Sequence, residues 1–88
     1  SGWQAARSNS NRLAKKEEGD EITYSLDMPF DGKASLFLMD AEAKPKEVLL
    51  LNRMLKKGVN SVSLSKTERQ PGTRMVLFID GQLEGVIE

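Results

Sequence analysis

The sequence predicts a small antiparallel β-sandwich, and three observations carry that prediction. From residue 22 onward apolar and polar residues alternate, which is the period of a half-buried strand. Short apolar runs then recur between polar breaks, giving about six candidate strands at the spacing of a sandwich. Near the end, Asp80-Gly81 lies between two apolar runs, a strong hairpin signal because both residues tolerate positive φ.

Residues 1–20 are expected to be a linker or mobile arm. Apolar side chains are few there, and a basic block precedes an acidic one. The polar run 8–11 competes for helical hydrogen bonds, so at most a short helical turn is expected over 12–18. Trp3 is the residue that could anchor the arm onto the domain or a neighbour. The start without methionine is typical of a fragment of a longer protein.

The domain itself is expected to span residues 21–88. Its first strand, 22–28, alternates strictly and stops at Pro29. The second strand, 34–39, is apolar on both faces. Two apolar faces indicate a central strand, or one covered on its outer side by a neighbouring element.

The third apolar run, at 48–51, is ambiguous by periodicity alone. A helix over 47–57 would place Val48, Leu51 and Leu55 on one face. We favour a strand at 47–52, because a helix would interrupt a succession of strands. The remaining strands are expected at 59–65, 75–79 and 83–87.

Composition excludes several classes of function. The chain has no cysteine and no histidine, which removes thiolate metal sites and the usual general base. Thirteen basic and thirteen acidic residues cancel, so no overall field recruits nucleic acid. The longest apolar run, 75–79, is far shorter than the roughly 20 residues that span a bilayer. We therefore expect no cofactor, no metal, no nucleic-acid partner and no membrane insertion.

Two patterns that could carry chemistry have simpler interpretations. Ser63 and Lys66 have the Ser-x-x-Lys spacing of penicillin-recognising enzymes, but that pair works from the start of a helix with further motifs. Coincidence is the favoured explanation. Asp27, Asp31 and Asp40 could offer oxygen ligands to calcium, yet calcium sites usually have a denser run of acids. Turn formation explains these aspartates better, and no catalytic residue is expected.

Met54 and Leu55 are the candidate partner contacts within the domain, as Trp3 is in the arm. The pair lies between Arg53 and Lys56, so it would be an apolar contact bordered by positive charge. The other possibility is a hydrophobic lid that closes the sandwich. The last strand, 83–87, offers a second route to a partner, because an open edge can bind by strand addition.

The segments 22–26 and 32–41 are similar to the opening of bacterial immunoglobulin-like modules. The segments 57–64 and 71–73 resemble the closing half of such modules. That half is shared by the C-terminal sorting domains of type IX secretion cargo and the immunoglobulin-like domain of the flagellar hook-cap protein. The resemblance covers 22–87, although Ala43 stands where glycine is common. It implies an immunoglobulin/fibronectin-III-like β-sandwich of about six to seven strands.

A function follows from that resemblance as an expectation. The chain is expected to be a non-catalytic protein-interaction module of a larger bacterial secreted or cell-envelope protein, serving in docking, sorting or assembly. The alternative is a carbohydrate-binding accessory module. Exposed aromatic side chains beside a groove would favour sugar binding, and a bare apolar patch would favour docking. A homo-oligomer could form through the arm or an edge strand.

Overall fold

The computed structural model describes residues 11–88, which form seven strands and one short 3-10 helix. The strands are β1 (Leu13–Glu18), β2 (Glu21–Met28), β3 (Gly32–Met39), β4 (Pro45–Leu55), β5 (Gly58–Ser65), β6 (Arg74–Ile79) and β7 (Gln82–Ile87), and the helix is Lys66–Glu68. Each strand expected from the sequence is present. Trp3 and the rest of the first ten residues lie outside the described part of the chain.

The strands form two antiparallel sheets, one in the order β1-β2-β5 and the other in the order β4-β3-β6-β7. The chain passes from one sheet to the other after β2, again after β4 and again after β5. These crossings give the two-sheet antiparallel arrangement of a small β-sandwich. The predicted all-β class is confirmed.

The core lies between the inner faces of the sheets. In β2 the alternation works as predicted, since Ile22, Tyr24, Leu26 and Met28 are all buried. The inner face of the other sheet supplies apolar side chains from its two central strands: Ala34, Leu36, Leu38, Met75, Leu77 and Ile79. Burial of these side chains is the main favourable term in folding.

The ambiguous third run is a strand, and the helix over 47–57 does not form. β4 is three residues longer than β3, its partner, and the extra residues are taken up by three register shifts. The last hairpin also has the expected geometry. Asp80 and Gly81 have φ values of 48° and 81°, as a type I′ turn requires.

β1 corrects the expectation for the N-terminal segment. Leu13–Glu18, assigned from sequence to a linker with a possible helical turn, pairs with β2 along its whole length. Only Leu13 is buried, opposite Leu26 in the register, and the other five residues are exposed. The strand was missed because its edge position leaves its charged side chains in solvent, where no period-two apolar pattern is needed.

Candidate functional site

The predicted contact residues Met54 and Leu55 are separated by the structure. They are consecutive residues of β4, so their side chains point to opposite faces. Met54 is 62% exposed, whereas Leu55 is partly buried and packs against the core. Met54 therefore belongs to the surface and Leu55 closes the sandwich.

Met54 lies on the outer side of the four-stranded sheet, where two cross-strand rows of side chains are mostly apolar. The register places Val48, Phe37, Val76 and Val86 in one row across all four strands. A second row aligns Ser35, Phe78 and Leu83. Directly opposed residues project from the same face of a sheet. We call these two rows, together with the adjoining exposed residues Leu51 and Met54 of β4, the apolar face.

Val76 demonstrates how closely these side chains pack. It is only 2% exposed, yet it is not a member of the core cluster between the sheets. Its neighbours on the outer side therefore cover it. Phe37 and Phe78 meet edge to face with ring centroids 5.9 Å apart, an arrangement favoured by the aromatic quadrupole. The centre of the apolar face is thus a packed layer.

Ser35, the polar member of the second row, is hydrogen-bonded to the edge strand β4. The backbone N–H of Asn52 donates to Ser35 Oγ at 2.9 Å. Asn52 has φ 48°, a left-handed conformation that asparagine tolerates. The bulged backbone of β4 at Asn52 therefore satisfies a buried hydroxyl and at the same time makes the edge irregular, which discourages strand addition.

The β4 side of the apolar face is the most exposed part of it. Val48, Leu51 and Met54 are 51%, 66% and 62% exposed. Basic side chains flank them along the same segment, and all of these are exposed: Lys44, Lys46, Arg53, Lys56 and Lys57. An apolar strip bordered by positive charge lies here, and Met54 is the member of it that the sequence had suggested.

The outer face of the three-stranded sheet has the opposite character. Thr23 and Ser63 share a hydrogen bond between their hydroxyl oxygens at 2.9 Å, and Ser25 lies opposite Ser61 in the next outward position. Val59 is the exposed large apolar residue on this sheet among the described residues. We call this surface the polar face; it is suited to water.

β1 and β7 bring the two sheets together along one side. The Arg12 backbone N–H donates to Glu84 O at 3.0 Å, and Arg12 Nε lies 3.5 Å from Glu84 Oε1. A Cβ on Gly85 would lie 3.1 Å from Leu13 Cγ, so the absence of a side chain allows this close approach. Gly85 therefore allows the segment around Leu13 to pack against β7, and the edge of β7 is partly covered.

A concave region of about 480 Å³ lies at one end of the sandwich, lined by the segment 69–74 and Glu88. Two arginines line it, and both have internal partners: Arg74 Nη2 lies 3.7 Å from Glu88 Oε2, and Arg69 contacts two residues. Arg69 Nη2 donates to Thr73 O at 2.6 Å, and Nη1 donates to Tyr24 Oη at 3.3 Å. Desolvation raises the pKa of Tyr24 above 10.0, although the nearby Arg69 charge acts in the opposite direction. These contacts fasten the loop before β6 to the core.

Of the three aspartates considered for calcium, Asp31 and Asp40 hold turns, whereas Asp27 lies within β2 with its Oδ2 3.9 Å from Arg12 Nη1. Asp31 Oδ1 accepts from the Lys57 N–H at 2.8 Å, and Asp40 Oδ1 accepts from the N–H groups of Glu42 and Lys44. Within residues 11–88 no three acidic side chains come together in a group that could hold a metal ion.

The Ser-x-x-Lys pair is divided between different partners. The Ser63 hydroxyl bonds Thr23, while Lys66 Nζ lies 3.6 Å from Glu17 Oε1. The described residues also form no helix that is long and apolar enough to cross a membrane.

No protein-family model matches the chain, and neither a curated protein nor a solved structure is similar enough to match it. The function must therefore be inferred from the geometry of the apolar face. The sequence had indicated part of this face, since 34–39 was apolar on both sides. The remainder depends on the register that brings β4 and β7 into the same rows.

Proposed function

We propose that this domain is a non-catalytic protein-interaction module that docks a protein partner on its apolar face. The supporting observation is the exposed strip of Val48, Leu51 and Met54, continuous with packed apolar rows on an outer sheet surface. Covering apolar area gains roughly 25 cal/mol per Å². Contiguous exposed apolar surface on a small domain is typical of a contact site.

The setting of this module is part of the same proposal. We place it in a larger bacterial secreted or cell-envelope protein, where it serves in docking, sorting or assembly. The resemblance of 22–26 and 57–64 to bacterial immunoglobulin-like modules supports this setting.

The carbohydrate-binding alternative has weaker support. Sugar platforms use exposed aromatic rings beside a groove. Among the described residues Phe30, at 48%, is the most exposed aromatic side chain. Phe37 and Phe78 are only partly exposed and pack edge to face against each other within the rows.

Site-specific photo-crosslinking tests the proposal. A photoreactive phenylalanine analogue is placed at Val48 on the apolar face, and in a matched protein at Ser61 on the polar face. After irradiation in an extract of the source cells, we expect discrete protein adducts from position 48 and none from position 61. Excess unlabelled wild-type protein should suppress the adducts, and excess Val48→Glu protein should not.

Equal labelling from the two positions would contradict the proposal, because it would mean that contact does not depend on the apolar face. A lack of adducts from position 48 would also contradict it. Circular dichroism of each protein checks that the fold is retained.

A further inference from the structure

We infer that the apolar face binds a second copy of this chain, through a two-fold axis that runs parallel to the strands. The inference rests on the proposed function, and it names the partner of the same surface. It starts from the distribution of charge along the two edges of the four-stranded sheet.

The two edges carry charge of opposite sign. Residues 44–57, the basic margin, contain five basic side chains and one acidic side chain, so their formal charge is +4. Residues 80–88, the acidic margin, contain three acidic side chains and no basic one, so their formal charge is −3. Arg12 and Arg74 lie near Glu84 and Glu88 and reduce this to −1. The signs of the two margins remain opposite.

Apolar side chains accompany both margins. Val48, Leu51 and Met54 lie along the basic margin, and Leu83 and Val86 lie along the acidic one. A partner for the β4 side must be apolar and acidic, and the β7 side of the same face has that combination. A second copy therefore carries the complementary surface.

The sheet order decides which symmetry joins these surfaces. With the order β4-β3-β6-β7, a two-fold axis between two faces and parallel to the strands lays β4 of each copy over β7 of the other. An axis perpendicular to the strands would lay β4 over β4 and bring the basic margins together. Opposite charges meet twice in the first arrangement, which is why we choose it.

The size of the face sets the expected strength. Four strands spaced about 4.8 Å apart, with about six residues each, present roughly 400 Å² per copy. A dimer would then bury about 800 Å² in total, less than the ~1,200 Å² of stable complexes. The dimer should therefore be weak, with a dissociation constant in the micromolar range or above.

Sedimentation velocity on the full chain, from about 10 µM to about 1 mM, tests the inference in this affinity range. We expect concentration-dependent dimers and no larger species, since two-fold contacts close. Val48→Glu should weaken association at least tenfold, because it buries an unpaired charge. Ser61→Glu, on the polar face, should leave association unchanged. Both sites are exposed, so both variants should fold.

Salt and charge exchange test the axis. Raising the salt from about 50 mM to about 500 mM should weaken the dimer, because the contacts between margins are attractive. Lys46→Glu should weaken it about twofold to fivefold. The double variant Lys46→Glu/Glu88→Lys should recover most of the loss. A dimer strengthened by salt would overturn the chosen axis, and a dimer unaffected by Val48→Glu would overturn the surface.

The outcomes separate this inference from the proposed function. A chain that stays monomeric to about 1 mM overturns the second copy as partner. If position 48 still forms adducts with another protein, the docking function stands without self-association. If the chain is monomeric and position 48 forms no adduct, both proposals fail.

Discussion

The two outer faces of the sandwich are built on similar antiparallel strands and carry opposite side chains. On the polar face, hydroxyls lie across from hydroxyls, as in the pair Thr23 and Ser63. On the apolar face, the corresponding row aligns Val48, Phe37, Val76 and Val86. Both sheets have an apolar inner face because the core requires it. Folding alone does not require the second apolar layer, and this difference is the basis of the proposed docking function.

Exchanging valine and threonine, which have similar shapes, should show the largest difference in stability between the two faces. Val76→Thr places a hydroxyl in the packed layer of the apolar face and should lower the free energy of unfolding by about 1–2 kcal/mol. The reverse exchange on the polar face, Thr23→Val, should change it by less than about 0.5 kcal/mol. Urea unfolding of both variants measures the two effects. Equal small effects would mean that the apolar face is solvated like the polar one.

The same serine substitution on each face sharpens the comparison. Ser35→Ala removes the acceptor of the Asn52 N–H and should cost about 1 kcal/mol. Ser61→Ala, at an exposed site, should cost less than about 0.5 kcal/mol. Hydrogen exchange at the Asn52 amide distinguishes the cause, since only Ser35→Ala should accelerate it. An unchanged exchange rate would mean that the loss of stability in Ser35→Ala does not come from the hydrogen bond to the Asn52 N–H.

Local patterns were sufficient to predict most of the fold. The alternation in 22–28 and the turn at Asp80-Gly81 depend on neighbours in sequence, and both appear as expected. β1 could not be predicted in this way. It has a single buried residue, Leu13, and its pairing depends on the distant partner strand β2.

The candidate site was predictable only in part for the same reason. Met54 was identified because it stands in an apolar pair beside basic residues. The row that joins Val48 to Val86 depends on pairing across four strands, which one sequence does not reveal. In sequence, Gly85 only interrupts the apolar residues of the last strand. Its function in letting β1 approach β7 is visible only in three dimensions.

Tyr24 extends the comparison to the inner side of the three-stranded sheet. Desolvation raises its pKa above 10.0, so folding favours the neutral phenol. A raised pKa in an acid gives stability that is complete below pH 10 and is lost as the pH rises through the folded pKa. The chain has one tyrosine, and the indole of Trp3 does not ionise, so the rise in near-ultraviolet absorbance on tyrosinate formation reports this group.

We expect the tyrosinate signal to appear together with unfolding, at a higher pH than in the unfolded chain. Tyr24→Phe should abolish the tyrosinate signal and this part of the alkaline loss of stability. Ionisation at the same pH in the folded and urea-unfolded chains would contradict burial as the cause.

The smallest effect should come from the turn that starts the exposed strand β4. Ala43 has φ 63°, a conformation that costs a non-glycine residue roughly 1 kcal/mol. The turn therefore needs stabilising contacts that offset this cost. Asp40 supplies them by accepting the N–H groups of Lys44 and Glu42. The Lys44 bond is the main cause that holds the pKa of Asp40 below 3.8.

A lowered pKa gives stability that is present above pH 3.8 and is lost as the pH falls through the folded pKa. Asp40→Asn keeps an acceptor oxygen and removes the charge. Its small deficit in thermal stability at neutral pH should therefore disappear in acid, where the wild-type carboxyl is also neutral. Asp40→Ala removes the acceptor as well, so part of its deficit should persist in acid. If both deficits vanished together, charge alone would hold the turn, and the two N–H bonds would not explain where β4 begins.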